Sequence, residues 1–155
     1  MTLAASYPLT IFYDASCPLC QKEMQALKDN DSEARLLLVD CSNAGFIDES
    51  AAQKGITTAD MMALIHARDR EGRWFIGVDV FVLAYGAAGI DFMARFWSLP
   101  LLRPLWDRLY PWVARNRMLM SKLGVVEGFD MLVRWAARRA QKRSAACRSG
   151  QCGIP

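Results

Sequence analysis

A strand, a helix and a second strand can be read in order from the first forty residues, and that order constrains the fold more than any other feature of the chain. Pro8 to Tyr13 (Pro-Leu-Thr-Ile-Phe-Tyr) is a short run rich in β-branched and aromatic residues that stops at Asp14, the pattern of a buried strand entering a loop. Cys20, Met24 and Leu27 then recur at spacings of four and three, while Lys22, Glu23, Gln25 and Lys28 take the other positions. The spacing predicts an amphipathic helix from about Pro18 to Lys28 whose buried face begins at Cys20. A polar turn, Asp29-Asn30-Asp31-Ser32, leads into the apolar run Arg35 to Asp40, of strand length. A crossover helix between two strands must pack back on their sheet, so the two strands run parallel.

Beyond this unit, Phe46 to Lys54 reads as a short helix stopped by Gly55. Met61 to Ala67 and Arg73 to Val78 are apolar runs around the polar turn Asp69 to Gly72, the signature of a β-hairpin. Asp79 to Ala88 reads as helix and Ile90 to Arg95 continues in kind. Leu99 to Leu109 is punctuated by Pro100 and Pro104, and Pro111 to Ser121 and Glu127 to Lys142 form further helical segments. The order β-α-β, helix, β-hairpin, helix is the thioredoxin arrangement. The expected fold is therefore α/β, a thioredoxin-like sheet with flanking helices and a C-terminal helical extension. Residues 1–90 are expected to form the core, 91–143 the extension packed on it, and 144–155 a flexible basic tail.

With 155 residues, 53% of them apolar, the chain can fill one core without metals or disulfides. No basic residue precedes the apolar stretch of Met1 to Tyr7, and Asp14 interrupts it, so no secretion signal is expected. Trp74 to Ile90 is strongly apolar but carries Asp79 and is shorter than the roughly 20 residues of a spanning helix. The net charge of +3 is uneven: no acid follows Asp130, whereas Arg134, Arg138, Arg139, Lys142, Arg143 and Arg148 do. This basic end is read as a solvated helix face. The expectation is no nucleic-acid partner and no stable membrane insertion.

Five cysteines without a secretion signal do not suggest a disulfide framework. Their spacing carries the information. Cys17 and Cys20 flank Pro18-Leu19 at the junction of strand and helix, close enough in a tight turn for a disulfide. With Cys17 as N-cap, Pro18 occupies the first helical position, where its missing N–H costs nothing. A thiol there faces unpaired backbone N–H groups and the positive end of the helix dipole, so it ionises more readily. Cys17 is thus the expected nucleophile. Cys20, opening the buried stripe, is expected to be less accessible and to act as the resolving thiol. Asp14 could take the proton from Cys20 or raise the pKa of the nearby thiols. Equally, Asp14 or Ser16 could cap a turn by accepting backbone N–H bonds.

Asp14, Cys17 and Cys20 form a D-x-x-C-x-x-C pattern that resembles the DCC family of thiol-disulfide oxidoreductases. The likeness continues in Met61-Met62-Ala63-Leu64-Ile65-His66, in the turn at Gly72, in Gly77-Val78-Asp79-Val80-Phe81 and in Tyr110 to Arg117, over about residues 8 to 120. It implies a thioredoxin-like fold and disulfide exchange, with roles for Cys17, Cys20 and Asp14. Disulfide exchange requires a disulfide-containing protein or small molecule as substrate and a thiol as electron donor, and no cofactor is expected. Pro18-Leu19 resembles the Cys-Pro-Tyr-Cys centre of glutaredoxins more than the Cys-Gly-Pro-Cys of thioredoxin. Thioredoxins also place a cis-proline just before the hairpin; Thr58-Ala59-Asp60-Met61 has none, which leaves room for a metal to approach the thiols.

Cys147 and Cys152 flank Arg-Ser-Gly-Gln near the end of the chain, either as a second redox pair or as thiols of a loose tail. A zinc site would need them to fold back to Cys17 and Cys20. Cys41 reads as a small core residue and His66 as a satisfied residue of the sheet. Trp97, Trp106 and Trp112, interspersed with Arg95, Arg103, Arg108 and Arg115, suit helix packing or a partner surface. The function expected is thiol-disulfide exchange in the cytoplasm; the alternative is a metal-binding or partner-binding module that uses the same thiols without turnover.

Overall fold

A computed structural model describes residues 3–122 together with Gly128, Met131, Trp135 and Arg138. Strand β1 (Leu9–Tyr13) leads through a short loop to helix α1 (Pro18–Asn30) and strand β2 (Leu36–Asp40). Helices α2 (Glu49–Ala52) and α3 (Thr58–Ala63) follow, then the hairpin strands β3 (His66–Arg68) and β4 (Trp74–Ile76), and helices α4 (Val78–Ala87), α5 (Asp91–Ser98) and α6 (Arg103–Lys122). The sheet order is β2-β1-β3-β4. β1 pairs parallel to β2, Leu9 opposite Leu36, and antiparallel to β3, Phe12 opposite His66. The expected α/β thioredoxin-like topology is therefore present, helical extension included.

Alternation along β1 explains the layering. Leu9 and Ile11 face the larger core, with Met24 and Leu27 of α1 and Val80, Ala84 and Tyr85 of α4. Phe12 points to the opposite face, where it packs with Cys41, Ala51 and Met61 under α2 and α3. The crossover is tied down at its far end by Asp31, a buried carboxylate that accepts from the backbone N–H groups of Arg35 and Leu36 and from Lys28 Nζ.

Two segments depart from the sequence expectations. The run Met61 to Ala67 is helix as far as Ala63, and the strand begins only at His66. The cause is a capping box: Thr57 Oγ1 accepts from the N–H of Asp60, whose carboxylate accepts in return from the N–H of Thr57, which satisfies the free donors of the first turn. The runs Asp79 to Ala88 and Ile90 to Arg95 are helices α4 and α5, parted at Gly89, where φ is +70°. Conversely, the segments separated in the sequence by proline are one helix, α6. Pro104 falls in its first turn, where a proline is tolerated, and Pro111 lies inside it at the loss of one backbone hydrogen bond. The segment 127–142 and the tail 144–155, expected as a helix and a loose end, lie outside the described residues apart from Gly128, Met131, Trp135 and Arg138.

Candidate active site

The loop between β1 and α1 sets the position of both thiols. Cys17 is the N-cap of α1 in extended conformation, with φ −89° and ψ 114°, and Pro18 follows at the start of the helix, as its fixed φ favours. The Cys17 carbonyl accepts from Gln21 N–H at 2.9 Å, and Cys17 N–H donates to the Asp14 carbonyl at 3.3 Å. The Asp14 carboxylate is buried. Its Oδ1 accepts from Ser16 N–H at 2.9 Å and from Ser16 Oγ at 2.5 Å, so the capping role weighed for Asp14 is present. Its Oδ2 accepts from Arg117 of α6 at 2.5 Å, an ion pair with only 16% of the Arg117 side chain exposed.

Both sulfurs are free thiols that share a hydrogen bond. Donation from Cys20 lowers the pKa of Cys17 against the opposing effect of burial, and the N–H groups of Cys20 and Leu19 and the Arg117 charge act in the same direction as that donation. Cys20 moves the other way, raised first by its hydrogen bond to Cys17, then by burial and by the Cys17 charge. The thiolate therefore belongs to Cys17, as the helix-terminus argument anticipates. The order of exposure is the reverse of the sequence expectation: Cys17 is 0% exposed, whereas Cys20 is partly open. Helix α6 packs against α1, a contact that helical periodicity within α1 cannot reveal.

Cys20 opens onto a cavity of about 230 Å³. Its wall is largely apolar, with Leu19 of α1, Met61 of α3, Phe81 of α4 and Tyr110 and Ala114 of α6. The polar groups that reach it include Cys20, Glu23 and the Asp14–Arg117 pair. Tyr110 is held by the Ile65 N–H, which donates to its hydroxyl at 3.1 Å, and by edge contact with Phe81 at 5.2 Å. Glu23 stands three residues beyond Cys20 on α1. Burial pushes its carboxyl up to about 7, against the hydrogen bond that Tyr85 Oη donates at 3.0 Å; the Cys17 charge adds to the rise. Reasoning from the sequence missed Glu23, Arg117 and the two tyrosines as parts of the site. Glu23 reads there as one more polar helix residue, although a carboxylate one turn beyond Cys20 on a helix crossing a sheet is a usable signal.

A family model matches residues 11–123 and describes a DCC1-like thiol-disulfide oxidoreductase. The chain belongs to the DCC1-like thiol-disulfide oxidoreductase family. A general thiol-disulfide oxidoreductase role comes with that membership. The chain is also 24% identical over 150 residues, 96% of its own length and 67% of the other's, to an uncharacterized chloroplastic protein of Arabidopsis thaliana. No solved structure gives a significant match.

For this DCC1-like protein the remaining sequence candidates divide clearly. Cys41 is buried in the smaller core, and burial pushes its thiol up to about 12, an unreactive setting. His66 is buried in β3, with Nδ1 2.9 Å from the Leu64 carbonyl. Trp97 and Trp106 pack against each other at 5.2 Å, and Trp97 stacks on Phe81, whereas Trp112 is 54% exposed. Cys147 and Cys152 lie outside the described residues. Among the described residues no three His, Cys, Asp or Glu side chains are placed to hold a metal ion, so the zinc alternative would draw on ligands from elsewhere in the chain. Among them, too, no helix is long and apolar enough to cross a membrane.

Proposed function

We propose that the chain reduces disulfides by exchange through Cys17 and Cys20, working in the cytoplasm with a thiol as its electron donor. The observation that carries this reading is the opposed shift of two hydrogen-bonded thiols at the start of α1, one favoured as thiolate and the other held as thiol. The Cys17 thiolate attacks one sulfur of the substrate disulfide. That bond breaks, one half of the substrate leaves as a thiolate, and Cys17 carries the other half as a mixed disulfide. Once Cys17 is so bonded it has no charge and no lone thiolate to accept from Cys20. Two of the three largest causes that hold the Cys20 proton disappear with it.

Glu23 is then the base for Cys20. It faces the same cavity, and with a pKa of about 7 it is ionised in a substantial fraction of molecules at neutral pH. The Cys20 thiolate attacks Cys17 Sγ and expels the second half of the substrate. Two electrons have then passed from the dithiol to the substrate. A donor dithiol returns them by the same exchange in reverse.

The test is substitution of each cysteine. Cys20→Ser is expected to accumulate a mixed disulfide with substrate, visible by mass on the intact protein. Cys17→Ser is expected to form none and to lose turnover. Full activity in Cys17→Ser would remove Cys17 from the mechanism and direct attention to Cys147 and Cys152.

A further inference from the structure

The ion pair of Asp14 and Arg117 takes no part in the exchange steps, yet it joins α6 to the loop that carries Cys17. Arg117 donates to Asp14 Oδ2 at 2.5 Å across 103 residues of sequence, and the two side chains are 16% and 4% exposed. Both charges are thus largely out of water. Such a pair adds little net stability, because desolvation offsets most of the attraction. What it does add is fixed charge beside the thiols. Asp14 shapes the loop: its Oδ1 accepts from Ser16 N–H and Oγ, and its carbonyl accepts from Cys17 N–H. Asp14 and Arg117 also line the cavity onto which Cys20 opens. The other titratable groups around the thiols are Tyr13 of β1, Glu23 of α1 and Tyr110 of α6, while α3 and α4 present Met61 and Phe81 there. Burial raises both tyrosines, which stay neutral at pH 7, and Glu23 is an acid. Arg117 is the cation in this set, and it favours the thiolate at both sulfurs.

We propose that Arg117 and Asp14 are positioning residues of opposed effect that together set how strongly the dithiol donates its electrons: Arg117 favours the Cys17 thiolate, and Asp14, by neutralising Arg117, holds that effect in check. The inference rests on the exchange mechanism proposed above and adds what sets its poise. A stabilised thiolate stabilises the reduced pair and makes it a weaker reductant, whereas the disulfide carries no charge on which Arg117 can act. Each charge of the ion pair therefore moves the redox equilibrium, and the two move it in opposite directions.

The experiment titrates the full reduced chain by ultraviolet thiolate absorbance, the Cys17 signal being the part that Cys17→Ser removes. In the natural chain its midpoint is expected at about 6. Arg117→Gln is expected to raise the midpoint by about one unit, the lower end of what a neighbouring opposite charge does. At pH 7 that raises the equilibrium constant for reducing oxidised glutathione roughly fivefold, a difference that vanishes below about pH 5, where both proteins hold Cys17 as thiol. Arg117→Lys keeps the charge and is expected to stay near the natural midpoint. Asp14→Asn is expected to lower the midpoint, since it leaves the Arg117 charge unneutralised. The double variant, which leaves no buried charge unpaired, is expected between the natural chain and Arg117→Gln. A merely structural clasp gives another pattern: loss of either side disturbs the loop, so both single variants shift the same way. That result, or unchanged midpoints in variants that circular dichroism shows to be folded, would overturn the inference. If Arg117→Gln does not fold, the signs for Asp14→Asn and for the double variant decide. A failure of the underlying mechanism looks different: the titration would then be untouched by Cys17→Ser, and the thiolate would not belong to Cys17.

Discussion

The carboxyl of Glu23 is the residue whose ionisation most directly joins stability to chemistry. Its folded pKa of about 7 lies above the ordinary glutamate value of about 4.3. The folded chain thus holds this proton more tightly than the unfolded chain. The stabilisation is complete below about 4.3 and is lost as pH rises through about 7. Glu23→Gln keeps a partner for Tyr85 Oη and carries no charge, so it is expected to gain stability relative to the natural chain between about pH 5 and pH 8, read by urea denaturation. The same variant should slow release of the mixed disulfide by about a hundredfold, the lower end of what a positioned base supplies. Equal stability profiles for the two proteins would show that Glu23 is not a desolvated acid. Asp14, the acid that the sequence singles out beside the thiols, has its oxygens occupied by Ser16 and Arg117. The pattern D-x-x-C-x-x-C identifies that a carboxylate matters. It does not say which carboxylate faces Cys20, because that depends on how α6 lies across α1.

At the scale of elements, the connection from β4 to α4 holds the cavity wall in place. Gly77 adopts φ +66° there, its N–H donates to the Ile65 carbonyl at 2.9 Å, and a Cβ at this position would lie 3.6 Å from the Tyr110 ring. That distance is ordinary contact, so the cost of a side chain is one of backbone strain. Gly77→Ala is expected to destabilise by about 1–3 kcal/mol, or a fall in Tm of roughly 2–12 °C at this chain length; an unchanged melting curve would contradict the strained geometry. The elements whose patterns were local were legible from sequence: β1, α1, β2 and the hairpin turn each follow from apolar spacing and turn residues. Those that depend on reciprocal or distant contacts were not. The capping box of Thr57 and Asp60 turned an apolar run from strand to helix, and α6 runs through Pro111.

On the scale of the whole molecule, one sheet and one crossover place a thiolate at a helix N-terminus, and the added helices α5 and α6 roof it. The roof supplies Arg117 beside Cys17 and Tyr110 beside the cavity, so the C-terminal extension is part of the site as well as of the packing. Cys17 and Cys20 are proposed to form one two-electron redox centre. The direct test equilibrates the full chain in dithiothreitol or glutathione redox buffers, alkylates the thiols and reads each cysteine by peptide mass. A single reversible transition is expected, in which Cys17 and Cys20 become protected together and Cys41 stays reduced, and which Cys17→Ser abolishes. A transition carried by Cys147 and Cys152 alone, or thiols at Cys17 and Cys20 that never pair, would contradict it.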